Sequence, residues 1–321
     1  MTSPAPAKGL TRRGFLRTAG LAAGAAALGA KPLASAASAA MCTSKVPDAK
    51  IGIQLFTCTG PSIIAREATL ERIAELGYKI VEHAGYGSDP KAFRAALDNT
   101  GLTSLSGHTA LPNPYNDRTW RQIVDDAQVI GQRYIVWPSN SASTVEAWKR
   151  VADIMNRAGR VAYDEGMGPR AVGFHNHSTE YQPIAGDPKK RRPIDILMQD
   201  CDTRFTHMQM DIGWVWTASD PVLELHRFPG RYRQFHVKDM VGIPQAKRPQ
   251  GGPNMPYGGP VVPGAGMVDF RSVFAAAKES RQPIESFLIE NDASIATCLD
   301  AAVAGYELLH GMTYPHKCRA S

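Results

Sequence analysis

Side chains able to hold a metal ion recur at four places in the second half of the 321-residue chain, each closing an apolar run. The stretches are Phe174-His175-Asn176-His177-Ser178-Thr179-Glu180, Gln209-Met210-Asp211-Ile212-Gly213-Trp214, Phe235-His236-Val237-Lys238-Asp239 and Leu288-Ile289-Glu290-Asn291-Asp292. Singly, a histidine or aspartate after such a run is more often a helix cap or a satisfied polar group. Four in succession change that reading. Carboxylates and imidazoles suit one divalent ion (Mn, Mg, Co or Zn), and the five cysteines contain no C-x-x-C pair of the kind that builds a structural zinc site. Beside a base, such an ion acidifies a C–H next to a carbonyl and stabilises the enediolate oxygen that develops. His175 or His177 is the candidate base and Glu290 a second one. Lys238 is either an electrophile holding a substrate oxygen or one half of a salt bridge with Asp239 or Glu290.

Residues so distant in sequence meet only if their carriers lie side by side. From Lys50 onward, short apolar runs alternate with amphipathic stretches eight times. The runs predict strands at Ile51–Phe56, Lys79–Glu82, Thr103–Ser106, Tyr134–Trp137, Ala171–His175, Phe205–Asp211, Gln234–Val237 and Ser286–Glu290. The stretches between and after them predict helices at Ile64–Leu76, Pro90–Asn99, Arg118–Gly131, Thr144–Glu165, Arg192–Gln199, Pro221–Leu225, Phe270–Ser280 and Ser294–His310. Asp89-Pro90, Ser143-Thr144 and Asp220-Pro221 place N-cap residues before three of them. Eight such units predict an α/β fold, a single-domain (β/α)8 TIM barrel over 48–315, whose strand ends converge on one mouth. Gln54, Glu82, His108 and Trp137, which close the first four strands, together with Trp214, are then candidates to bind a substrate. Val241–Gly266, rich in Gly and Pro, follows the seventh strand and is expected to cover or shape the pocket.

The first forty residues are of another kind. Arg12-Arg13-Gly14-Phe15-Leu16, an Ala/Gly/Leu run too short to span a bilayer, and Ala37-Ser38-Ala39 follow the order of a cleavable twin-arginine signal peptide over 1–40. Its export machinery carries folded proteins, so a metal can be acquired before crossing, and the protein is expected to be periplasmic or secreted. No later run is long enough for a stable membrane span. The net charge of +6 is partly the leader's, and no basic stripe interleaved with aromatics supports nucleic-acid binding. Lys189-Lys190-Arg191-Arg192 reads as a solvated loop. Oxidising export permits disulfides, and Cys42 and Cys318 are placed to close the chain ends.

Asp-x-Gly-Trp (Asp211–Trp214), His-x-Lys-Asp (His236–Asp239), Gly-x-Gly-x-Val-Asp-Phe (Gly264–Phe270) and Glu-x-Asp (Glu290–Asp292), in that order, resemble the sugar phosphate isomerase/epimerase family of xylose-isomerase-like barrels. That family also includes dehydratases. The resemblance implies a metal held by Glu, Asp, His and Glu from strands five to eight, and Asp211, His236 and Glu290 carry over. At the fifth strand this chain has His175-Asn176-His177 where many members have Glu-Asn-His. Either His175 replaces the carboxylate, or Glu180 reaches back and keeps three carboxylates with one imidazole; the charge balance favours Glu180. The implied activity is metal-dependent isomerisation or epimerisation of a small, unphosphorylated sugar through an enediolate. A lyase or dehydratase acting on a 3-keto sugar at the same metal site is the nearest alternative, and a non-catalytic periplasmic sugar-binding module the alternative of another class. Assembly as a homo-oligomer is compatible with all three. Replacing Arg12 and Arg13 by lysine is expected to hold precursor in the cytoplasm, read by cell fractionation.

Overall fold

The computed structural model describes residues 40–60, 67–242, 259–293 and 298–318. Eight strands, β1 (Ile51–Gln54), β2 (Ile80–His83), β3 (Thr103–His108), β4 (Tyr134–Trp137), β5 (Val172–His175), β6 (Thr206–Asp211), β7 (Tyr232–Val237) and β8 (Ser286–Ile289), close into one barrel. Each runs parallel to its neighbours, and β8 pairs with β1 through Phe287 opposite Ile51 and Ile289 opposite Ile53. The expected strands therefore all form. Crossover helices follow at Glu67–Glu75, Pro90–Thr100, Asp117–Ile130, Val145–Asp164, Pro193–Asp200, Pro221–Arg227, Phe270–Glu279 and Cys298–His310. The first turns expected at Ile64 and Ser294 lie outside the described residues, as do the expected signal segment up to residue 39 and 243–258 of the glycine-rich loop.

Local chemistry sets the helix starts. Asp89 accepts from the amides of Lys91 and Ala92 at 2.9 and 3.1 Å, Asp220 from Val222 and Leu223, and Thr144 from Ala147. Proline follows both aspartates, where its missing N–H costs nothing.

The main apolar core lies between the strands and the helices. Phe174 packs edge-on against Trp137 and against Trp148 of the Val145–Asp164 helix, and Phe235 stacks on Phe274 of Phe270–Glu279. Strand side chains alternate, so the residues between these point inward, and here many of them are polar. Gln234 donates to Ser106 Oγ at 2.7 Å and Ser286 Oγ at 3.1 Å, and Gln209 donates to Glu82 Oε2 at 2.7 Å. All five residues are fully buried. Most barrels fill this space with branched aliphatics. This one places a hydrogen-bonded column there, leading to the mouth, beside a few aliphatics such as Val136 and Leu288.

Staples outside the barrel join distant parts of the chain. Met41–Lys45 pairs antiparallel with Thr313–Lys317, where Cys42 and Cys318 form the disulfide that their placement permits. A second disulfide, Cys58–Cys298, ties the turn after β1 to the start of the last helix, at the rim. Asp239 fastens the loop after β7. Its Oδ2 accepts from Gly264 and Gly266 at 2.9 Å, and its Oδ1 from Met240 at 2.9 Å and Val268 at 3.2 Å. This explains the spacing of Gly264-x-Gly266, because a Cβ on Gly266 would strike the carboxylate. Asp239→Ala leaves those amides without an acceptor and is expected to lower unfolding free energy by about 3 kcal/mol, measured by urea denaturation.

Candidate metal centre

Where β5 to β8 end, one ligand atom each from His175, Asp211, His236 and Glu290 lies within 4.8 Å of all the others. The alternation explains three of them. Asp211 follows Gln209 and His236 follows Gln234 on the same inward face, and His175 shares that face of β5 with Gly173. Gly173 itself is required by close packing, since a Cβ there would meet His207 Nε2 at 2.6 Å. Glu290 stands one residue beyond β8. Asp211 also caps the Ile212–Ala218 helix, its Oδ1 accepting from the Trp214 amide at 2.9 Å. The glycine of Asp-x-Gly-Trp is there for contact: a Cβ on Gly213 would lie 2.7 Å from the Lys238 carbonyl oxygen.

The charges of this cluster are unequal. Glu82, Asp211, Glu290 and Asp292 face His236 and Lys238. His236 Nδ1 lies 2.5 Å from Glu290 Oε2 and its Nε2 2.6 Å from Glu82 Oε1. Lys238 Nζ lies 2.9, 3.1 and 2.7 Å from Asp211, Glu290 and Asp292. Burial alone would deprotonate His236, but Glu290 and Glu82 outweigh it and push its pKa up to about 10. Burial raises Asp211 to about 6 against the opposing pull of Lys238. Burial would also raise Glu290, yet Lys238 and His236 hold it well below the usual carboxylate range. Asp211 Oδ2 is buried without a hydrogen bond, its ion pair with Lys238 being misaligned for one. A divalent cation fits such a place. It offsets the excess negative charge, gives Asp211 Oδ2 a further partner, and meets two imidazoles and two carboxylates as donors.

A cavity of about 280 Å³ opens above the cluster, lined by Phe56, His108, His175, His177, Lys238, Glu290 and Asp292 among others. It is near the lower end of small-molecule pockets, roughly 300 Å³. Larger clefts lie elsewhere, one of about 390 Å³ beside Lys50 and Phe274 and one of about 620 Å³ beside Lys278 and Lys317, away from the cluster.

Several expected roles are corrected by these positions. Glu180 does not enter the cluster; its Oε2 accepts from the His177 amide at 2.8 Å, and His175 occupies the fifth-strand place instead. Trp137 does not line the cavity, because the pleat turns it to the helical shell against Phe174. Gln54 and Glu82 lie beneath the mouth, fully buried, with Gln54 Nε2 donating to Glu82 Oε1 at 2.8 Å. Trp214 flanks the pocket, its ring 5.1 Å from Lys238 Nζ and 6.0 Å from the His177 ring. Of the substrate-binding candidates, only His108 lines the cavity. Lys238 forms the expected pair with Glu290, and further pairs with Asp211 and Asp292, but none with Asp239, which serves the loop. Sequence reasoning assigns no role to Asp292 or Gln209. The step of two from Gln209 to Asp211 is the signal that could find the glutamine.

The model of the xylose isomerase-like TIM barrel family matches residues 70–290. Among curated proteins, the inosose dehydratase of Clostridium botulinum is 24% identical over 273 residues, covering 76% of this chain and 88% of that protein. A sugar phosphate isomerase/epimerase from Parabacteroides distasonis superposes with a TM-score of 0.64 at 21% identity, covering 83% of this chain and 96% of that one. The IOLI protein, whose crystal structure holds a zinc atom, superposes with a TM-score of 0.56 at 13% identity, covering 82% and 100%.

A proton on His236 competes with a cation for the same electrons. Because its folded pKa is raised from 6.5 to about 10, its contribution to metal-free stability is full below pH 6.5 and fades as pH rises toward 10. Chelator-stripped protein is therefore expected to melt lower at pH 9 than at pH 6, and added divalent ion to raise the melting temperature more at pH 9, measured by scanning fluorimetry.

Proposed function

Since this chain belongs to the xylose isomerase-like TIM barrel family, and its polar cluster borders a small cavity through His175 and Glu290, we propose that it is a metal-dependent dehydratase of an unphosphorylated keto-sugar or keto-cyclitol. The observation that carries the reading is the convergence of His175, Asp211, His236 and Glu290 beside a cavity that His175 and Glu290 line. Similarity to inosose dehydratases supports the reaction type. The zinc of the IOLI protein supports metal binding by a barrel of this fold.

Held by those four residues, a divalent ion would supply Lewis acidity to a substrate carbonyl and its neighbouring hydroxyl. The remaining work belongs to the chain. Lys238, kept protonated by Asp211, Glu290 and Asp292 against its burial, faces the oxygen on which negative charge develops. His177 lines the cavity and is neutral at pH 7, because burial and Lys238 lower its pKa to about 4. It takes the proton from the carbon next to the carbonyl. The C–O bond at the next carbon then breaks, and His177 passes the same proton to the departing hydroxyl, which leaves as water. His108, lining the wall and 2.9 Å from Gln209 Oε1, is placed to hold a substrate hydroxyl. Structural likeness to a sugar phosphate isomerase/epimerase favours a second outcome at the same site, in which the proton returns to carbon. The leader sequence together with the two disulfides supports a periplasmic or secreted location.

His177→Ala is expected to lower kcat by about 10²–10⁴ while metal content stays unchanged, assayed on a panel of keto-sugars and keto-inositols. Mass spectrometry in deuterated water separates the outcomes. Loss of water marks the dehydratase, deuterium in a product of unchanged composition marks the isomerase, and neither marks a binding module.

A further inference from the structure

Gln209 stands outside the cluster, yet it decides which atom His175 offers. Glu82 is fixed at the bottom of the mouth by Gln54, by the Ser106 hydroxyl and by His236. An ionised carboxylate has no proton to give, so the Gln209 atom 2.7 Å from Glu82 Oε2 must be the amide nitrogen. The Gln209 carbonyl oxygen then faces the two imidazoles, 2.9 Å from His175 Nδ1 and 2.9 Å from His108 Nε2. A carbonyl oxygen only accepts. Both of those ring nitrogens therefore carry hydrogen, and the lone pair of His175 is left on Nε2, the atom 3.9 Å from Asp211 Oδ2. The imidazole is thus presented to the cluster as a neutral nitrogen donor in a fixed tautomer.

This changes which ion the site prefers. Two imidazole nitrogens and two carboxylate oxygens, nearly dry at 0–5% exposure, form a mixed donor set. Magnesium favours six oxygens, several of them retained waters, and sheds water reluctantly. Zinc, cobalt and iron(II) accept imidazole readily and tolerate low coordination numbers. Building on the metal-dependent reading above, we infer that the centre selects an ion of the zinc, cobalt and iron(II) class against magnesium, with His175 as the selecting ligand and Gln209 as the residue that positions it.

The test uses the full chain stripped with chelator and titrated calorimetrically with Zn²⁺, Co²⁺ or Mg²⁺ alone, with the visible spectrum of the Co²⁺ form recorded alongside. Wild type is expected to bind one Zn²⁺ or Co²⁺ per chain, and excess Mg²⁺ to leave the Co²⁺ bands unchanged. His175→Glu puts an oxygen where the nitrogen was, and the ratio of Co²⁺ to Mg²⁺ affinity is expected to fall at least about tenfold. Gln209→Leu keeps the bulk but removes the acceptor; Co²⁺ affinity is expected to drop about 10–100-fold with a shift in its visible bands, which a packing role alone would not produce. The inference is overturned if Mg²⁺ displaces Co²⁺ from wild type, or if both variants keep the wild-type ratio and spectrum. Should wild type bind neither kind of ion, the metal-dependent reading falls and this inference with it. Gln209→Leu alone decides between these outcomes if His175→Glu does not fold.

Discussion

Carboxylates buried together stay ionised only when positive charge meets them, and that constraint organises the mouth of this barrel. Glu82, Glu290, Asp211 and Asp292 share a space with His236 and Lys238 as the facing cations. Truncating either cation would leave buried charge unanswered, at a cost of several kcal/mol. The cluster is therefore held as a unit. Its residual negative charge makes it a receptor for a cation rather than a self-sufficient salt-bridge network.

Below the mouth, the same logic runs down the barrel. Buried polar groups need partners, and here the strands supply one another's: Gln234 to Ser106 and Ser286, Gln209 to Glu82, Gln54 to Glu82. Rigid strands fix these side chains more firmly than loops could, so the ligands above inherit defined orientations. The loops then finish the pocket. Asp239 ties down the glycine turn after β7, and the Cys58–Cys298 bond joins the turn that carries Phe56 to the segment following Asp292. Both staples act on the rim rather than on the chemistry.

Element by element, what could be read from the chain followed from how exposed each pattern was to local rules. Asp89-Pro90 and Asp220-Pro221 begin helices because capping is local, and all eight strands formed because each run carries its own β preference. The motif residues Asp211, His236 and Glu290 converged because strand ends of a parallel barrel share one face. Tyr134-Ile135-Val136-Trp137 was unreadable in a different respect: apolar at every position, it gives no phase, so nothing local says that Trp137 turns to the helices. Gln54 and Glu82 were legible as strand ends, but not their depth below the mouth.

The sequence alone determined the repeating βα architecture, the helix starts, and which strand ends carry ligand-type side chains, because these depend on periodicity and neighbouring residues. Tertiary structure alone decided that His175 and not Glu180 joins the cluster, that Cys58 meets Cys298, and that Gln209 sets an imidazole tautomer. Those outcomes turn on ångström-scale distances between residues tens to hundreds of positions apart, which only closure of the barrel fixes.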